Sequence, residues 1–185
     1  LQSQRWEDLL RLYREQHALI QEEIPEFWER CIARLEQVSA TCEEPPERAE
    51  VLIQVGAIWE DELGRRDLAK AFYQKAFKVW PYKTEALARA RSIYAEGDEW
   101  PLVLRLFAVE LQVTQEVERK VEIHVEMAQV HALHLEDSAK AVEHLETALA
   151  LEPANPQVLD LLEEHRLDRP TWDSELAALE RELEA

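Results

Sequence analysis

Glycine is scarce, with only three in 185 residues. That scarcity excludes glycine-rich loops that cradle phosphates, and no Gly-x-Ser-x-Gly nucleophile elbow occurs. Cysteine is almost absent: Cys31 and Cys42 stand eleven apart. Two thiols make no disulfide framework, so a reducing, cytoplasmic setting is the expectation. No apolar run reaches the roughly 18 residues of a membrane-spanning helix, so no membrane insertion is expected. Positive charge is short as well, with 21 Lys and Arg against 39 Asp and Glu and a net charge of −18. Nucleic acids and anionic membranes need clustered cations, so both are disfavoured as ligands. A basic partner, or simple solubility, fits this balance better.

What is present is helical. The chain is 46% apolar, which argues against disorder, and Ala, Leu, Glu and Arg, all strong helix formers, dominate it. Apolar residues recur at steps of three and four almost throughout, and strand-like alternation is absent. An all-α protein follows. The sequence opens at Leu1-Gln2-Ser3-Gln4, inside what reads as a helix and without an initiator Met, and it is expected to be a segment of a longer protein.

The chain also matches itself at an offset of 72 residues. The stretch from Ala69 to Pro81 aligns without a gap on Ala141 to Pro153, and Trp100 falls on Trp172. The block Trp6–Tyr13 repeats as Trp100–Phe107 at an offset of 94, which is 22 longer. Such repetition predicts a solenoid whose units bury apolar faces against their neighbours.

Leu52, Val55, Gly56 and Trp59 mark one helix face, and Leu63-Gly64 closes that helix. Leu68, Ala69, Phe72, Ala76 and Val79 mark the next, which Pro81 ends. Two amphipathic helices with so short a link must fold back on each other. The expected organisation is an N-terminal helical extension over 1–46 and an array over 47–185, with hairpins at about 47–81, 84–114, 117–153 and 155–185. In the third, Ser138 is the expected helix cap. In the extension, Trp6 to Gln16 reads as a partial repeat helix. Pro25 either starts a separate helix, the preferred reading, or kinks one long helix at Ile24.

These residues resemble the tetratricopeptide repeat (TPR) family, whose helix-turn-helix unit spans about 34 residues. Leu52, Val55, Gly56 and Trp59 match its first-helix pattern, Ala69, Tyr73 and Ala76 its second, and Pro81 its terminal proline. Met127, Ala128, Ala141, Leu145, Ala148 and Pro153 repeat the set. The units here average 36 residues, the first helix is one residue too long before Gly64, and the Trp100 and Trp172 hairpins match loosely, as in divergent bacterial members. The resemblance implies a right-handed α-solenoid of antiparallel helix-turn-helix repeats and a protein-interaction role. It implies a concave ligand face with Glu50, Ile53, Ala57, Glu60 and Asp61 from one hairpin. Glu85, Ala88, Ser92 and Glu96 follow from the next, then Glu122, Val125, Gln129 and Ala132.

That stripe is acidic with apolar patches and lacks the Lys, Arg and Asn set by which some relatives clamp a terminal carboxylate. The expected partner is therefore a basic, partly apolar protein segment, bound by a non-enzymatic scaffold or subunit of a larger complex. A structural spacer within a longer repeat protein is the alternative. Trp59, Trp100 and Trp172 are expected in the core, and Trp28 and Trp80 as exposed aromatic anchors. His124, His131 and His134 share a helical stripe that invites a metal reading. At the 72-residue offset, however, His124 falls on Leu52 and His131 on Trp59. They are expected to pack, with no metal or cofactor. Glu116, Glu118, Glu122 and Glu126 form an acidic run, but with 39 acids in the chain such pairs arise by chance, and no catalytic residue is assigned.

Overall fold

The computed structural model of the chain describes residues 3–19, 25–167 and 181. Those residues form nine α-helices and no strand: α1 (Ser3–Leu19), α2 (Pro25–Thr41), α3 (Pro45–Ala57), α4 (Arg66–Val79), α5 (Glu85–Glu96), α6 (Trp100–Val113), α7 (Val117–His134), α8 (Ser138–Leu151) and α9 (Pro156–Leu167). None among them is long and apolar enough to cross a membrane. The chain divides into two compact units, Leu1–Glu99 and Trp100–Ala185.

In the first unit, Tyr13 of α1 and Phe27 of α2 have ring centroids 5.0 Å apart. In one continuous helix they would be separated by a rise of about 21 Å at 1.5 Å per residue. So α1 and α2 are two helices folded against each other rather than one kinked rod. α2 packs on α3, α3 along α4, and α4 on α5. The core takes Trp6 and Leu10 from α1, Trp28, Cys31 and Leu35 from α2, and Val51, Ile53 and Val55 from α3. Tyr73 and Ala76 of α4 are also fully buried, and burial pushes the Cys31 thiol up to about 11.

α3 runs on into a π turn, Ile58–Glu62, which absorbs the residue by which this helix exceeds the repeat pattern. Leu63 N–H donates to the Ile58 carbonyl at 3.2 Å and Arg65 N–H to that of Trp59 at 2.6 Å. Gly64 makes the turn at φ 64°.

The second unit repeats this ending. Leu135 N–H donates to Val130 at 3.2 Å and Asp137 N–H to His131 at 2.9 Å, each partner 72 residues beyond its counterpart. α7 packs along α8, and α8 on α9. Their shared core is Val121, Val125, Ala128, Ala141, Leu145, Ala148, Val158 and Leu162. The α8 cap is Asp137 rather than the expected Ser138: its carboxylate accepts from Lys140 N–H at 3.1 Å. One residue earlier in the chain, its oxygen reaches the third amide of the helix, the geometry that a cap requires.

Candidate functional site

The expected ligand stripe divides between surface and core. In the first unit Glu50 and Glu60 are half-buried, while Asp61, Glu85, Ala88, Ser92 and Glu96 are exposed. Ile53 and Ala57 are buried in the core rather than set on an open face, a correction to the stripe. They point inward because α3 is covered by α2 on one flank and α4 on the other.

Each acid of that stripe is tied to a cation from a neighbouring helix or turn. Arg89 reaches Glu60 at 3.6 Å and Asp61 at 3.4 Å. Lys83 pairs with Glu50 and lies 3.9 Å from Glu85, and the bond to Glu50 raises the Lys83 ammonium. Arg66 pairs with Glu96. Tyr73 donates its hydroxyl to Glu60, and burial first, then this bond, holds the phenol far above its ordinary range. The stripe's negative charge is thus largely met within the fold.

The second unit differs. Here Glu122 and Gln129 are exposed and Val125 is buried. They belong to an open cleft of about 420 Å³ between α7 and the start of α9, with Val121, Val125 and Val158 as its floor and Glu118, Glu122, Glu126 and Glu152 around it. Arg119 meets two of these acids, Glu122 at 2.8 Å and Glu126 at 3.0 Å, and also reaches the buried Glu110 at 2.9 Å. Glu118 has no ion-pair partner among the described residues, and Glu152 accepts only from Asn155 at 2.8 Å. Four carboxylates therefore face one guanidinium.

The aromatic assignments change. Trp28 is buried, only 3% exposed, with His17 at 4.9 Å and Phe27 at 5.4 Å between ring centroids. It is a core residue rather than an exposed anchor, because α1 covers it. Trp80 is half-buried and meets the exposed Tyr82 edge-on at 5.3 Å. Trp59 and Trp100, expected in the core, are half-buried, and Trp172 lies outside the described residues.

The histidines cluster across two helices rather than along one. His124 Nδ1 of α7 lies 3.2 Å from His144 Nδ1 of α8, and His131 stacks on His144 with centroids 5.4 Å apart. His134 is elsewhere, stacked on Trp100 at 3.5 Å. Burial, then the neighbouring imidazoles and Lys140, push His144 down to about 4; burial also lowers His124 and His131. Among the described residues no group of three or more His, Cys, Asp or Glu is arranged to hold a metal ion. His144 lies 72 residues after Phe72, so the trio replaces Leu52, Trp59 and Phe72.

No family model matches the chain, and no curated protein matches it. Solved structures do, as folds. The N-terminal domain of stress-induced protein-1 from C. elegans matches with a TM-score of 0.57 at 12% identity, over 68% of this chain and 99% of that one. A MamA protein matches with a TM-score of 0.57 at 14% identity, over 99% and 91% of the two chains. MamA from Desulfovibrio magneticus RS-1 matches at 0.50 with 17% identity, over 96% and 94%. All are TPR-domain proteins. The chain has a TPR-like helical-repeat fold.

Proposed function

We propose that the chain is a non-enzymatic protein-interaction scaffold or assembly subunit that takes a basic, partly apolar partner segment in the cleft between α7 and α9. The observation that carries this reading is the cleft's imbalance, four carboxylates against Arg119 above a valine floor. Repeat folds present extended surfaces rather than reaction centres, and a helix or loop bearing both Lys and Leu would bury its apolar side against the valines while its cations reach the rim. The first-unit stripe suits such a ligand less well, since Arg89 and Lys83 already occupy its acids.

The test uses a dye-labelled dodecapeptide of Lys and Leu at helical spacing, with binding followed by fluorescence anisotropy at low salt. Glu118→Lys with Glu122→Lys is expected to weaken binding about tenfold or more, as close charge pairs at an interface do. Both side chains are exposed, so the fold should persist. Equal affinity of wild type and variant rejects the cleft.

A further inference from the structure

The first unit carries a second surface of opposite chemistry. A groove of about 420 Å³ opens between α2 and the α3/α4 pair, with Leu52, Phe72 and Val79 on its floor and Arg48, Lys75 and Lys78 on its rim. Lys75 lies over the Phe72 ring, its Nζ 4.2 Å from the centroid. Arg48, Lys75 and Lys78 have no carboxylate partner among the described residues, while Lys83, Arg89 and Arg119 are each tied to one or more. Glu36 is the one acid in the lining. Arg48 and Leu52 stand on the side of α3 opposite Glu50, Ile53 and Ala57, given 100° per residue. In a chain of net charge −18, three unneutralised cations around one apolar floor are an exception.

The 72-residue repeat supplies an internal contrast. In the second copy Arg48 is matched by Lys120, but Lys75 and Lys78 become Thr147 and Ala150, and the floor residues Leu52 and Phe72 become His124 and His144. The packing positions Ala69, Tyr73 and Ala76 keep small or apolar counterparts in Ala141, Leu145 and Ala148, all buried. The basic rim and apolar floor are therefore not demanded by the repeat fold.

We propose that this groove docks an acidic segment of a partner protein that carries one or two large apolar side chains. The apolar anchors would seat on Leu52, Phe72 and Val79, and flanking carboxylates would meet Lys75, Lys78 and Arg48. Charge complementarity selects this occupant. A long polyanion such as a nucleic acid runs past these three cations and close to the acids of a chain of net charge −18, whereas a short segment senses chiefly the cations within a Debye length of it.

The experiment measures anisotropy of a dye-labelled dodecapeptide with eight Glu or Asp and two Leu, at about 50 mM salt, where local charges are weakly screened. The variant Lys75→Thr/Lys78→Ala installs the residues of the second copy at two exposed positions, and a thermal melt verifies its fold. Wild type is expected to bind saturably and the variant about tenfold or more weakly. Lys75→Arg/Lys78→Arg, which keeps the charge, is expected to stay within about twofold. Equal binding by the Thr/Ala variant overturns the proposal, as does the absence of saturable binding to wild type. So does equal affinity for the same peptide with Ser in place of Leu, which would reduce the groove to ion exchange. Tighter binding of a single-stranded oligonucleotide of the same charge assigns the groove to nucleic acid instead. A wild-type dimer that the Thr/Ala variant converts to monomer assigns it to a second copy of the chain.

Discussion

In the repeat copy over 48–81, the ring of Tyr73 presses against Gly56; in the copy over 120–153, Leu145 and Ala128 hold the matching places. All four positions are buried, and both first helices end in the same wide hydrogen-bond pattern. Backbone geometry is thus common to the copies, while side-chain volume is exchanged in pairs: the larger partner on one helix requires the smaller on the other. At the helix crossing nearby, Leu52, Trp59 and Phe72 give way to three histidines. Even a local defect is shared, since the Trp59 Nε1 and its counterpart His131 Nδ1 are both buried without a hydrogen-bond partner among the described residues.

Breaking one pair should have the largest effect. A Cβ at residue 56 would stand 2.5 Å from Tyr73 Cε1, and that ring is 1% exposed with its hydroxyl bonded to Glu60. The ring therefore cannot swing aside cheaply. Gly56→Ala is expected to destabilise the protein by about 2–3 kcal/mol through overpacking. Gly56→Ala combined with Tyr73→Leu recreates the second copy's pair and should recover at least about 1 kcal/mol of that loss as a coupling term in a double-mutant cycle. Chemical denaturation of the four proteins measures it. Simple additivity would mean that the two copies do not exchange volume in pairs.

Acid should separate the copies next. His124, His131 and His144 of the second copy have folded-state pKa values below the ordinary value of about 6.5, with His144 at about 4. The unfolded chain therefore binds their protons more readily. Their contribution to stability is complete above about pH 6.5 and is lost as pH falls from there towards 4. The groups facing the cluster include Lys140, which opposes protonation, and Asp137 and Glu143, which favour it at His131. Displacement of His144 would be worth up to about 3 kcal/mol in a dry site, and its partial exposure brings the expected loss to about 1–2 kcal/mol. The variant His124→Leu/His144→Phe, which installs the first copy's residues, should flatten the fall in unfolding midpoint between pH 6.5 and 5. An unchanged slope would place the acid sensitivity in carboxylates instead.

These contrasts also show what a sequence can disclose. The α3/α4 and α7/α8 hairpins were legible because packing residues repeat at one offset, and Gly64 marked its turn. The extra residue before Gly64 was visible as a mismatch, and the π turn gives its physical form. Other features depend on helices meeting. Arg89 stands 28 residues from Asp61, so no helical spacing pairs them, and counting acids made the stripe look more negative than it is. Arg119 was within reach of sequence reasoning, since Glu122 and Glu126 follow it at three and seven residues on one face. Trp28 looked exposed only because its cover, α1, lies outside the 72-residue frame. His144 sits on the partner helix, where a stripe drawn along α7 could not include it, although its match to Phe72 was available.

The smallest effect concerns the turn that both copies share. Gly64 takes φ 64° and Glu136, its counterpart, φ 52°. A Cβ at Gly64 would meet nothing within 4 Å, so Gly64→Ala has no clash to relieve and should lose only the left-handed backbone term, about 1 kcal/mol. Glu136→Gly removes the same term from the second copy, but it adds freedom to the unfolded chain, so the gain should be about 0.5 kcal/mol. The two substitutions thus act with opposite sign on equivalent positions, and unfolding midpoints measure both. If Gly64→Ala proves neutral, left-handed strain is not what distinguishes the turns. The choice of Gly in one copy and Glu in the other would then have to be explained by the exposed side chain rather than by the backbone.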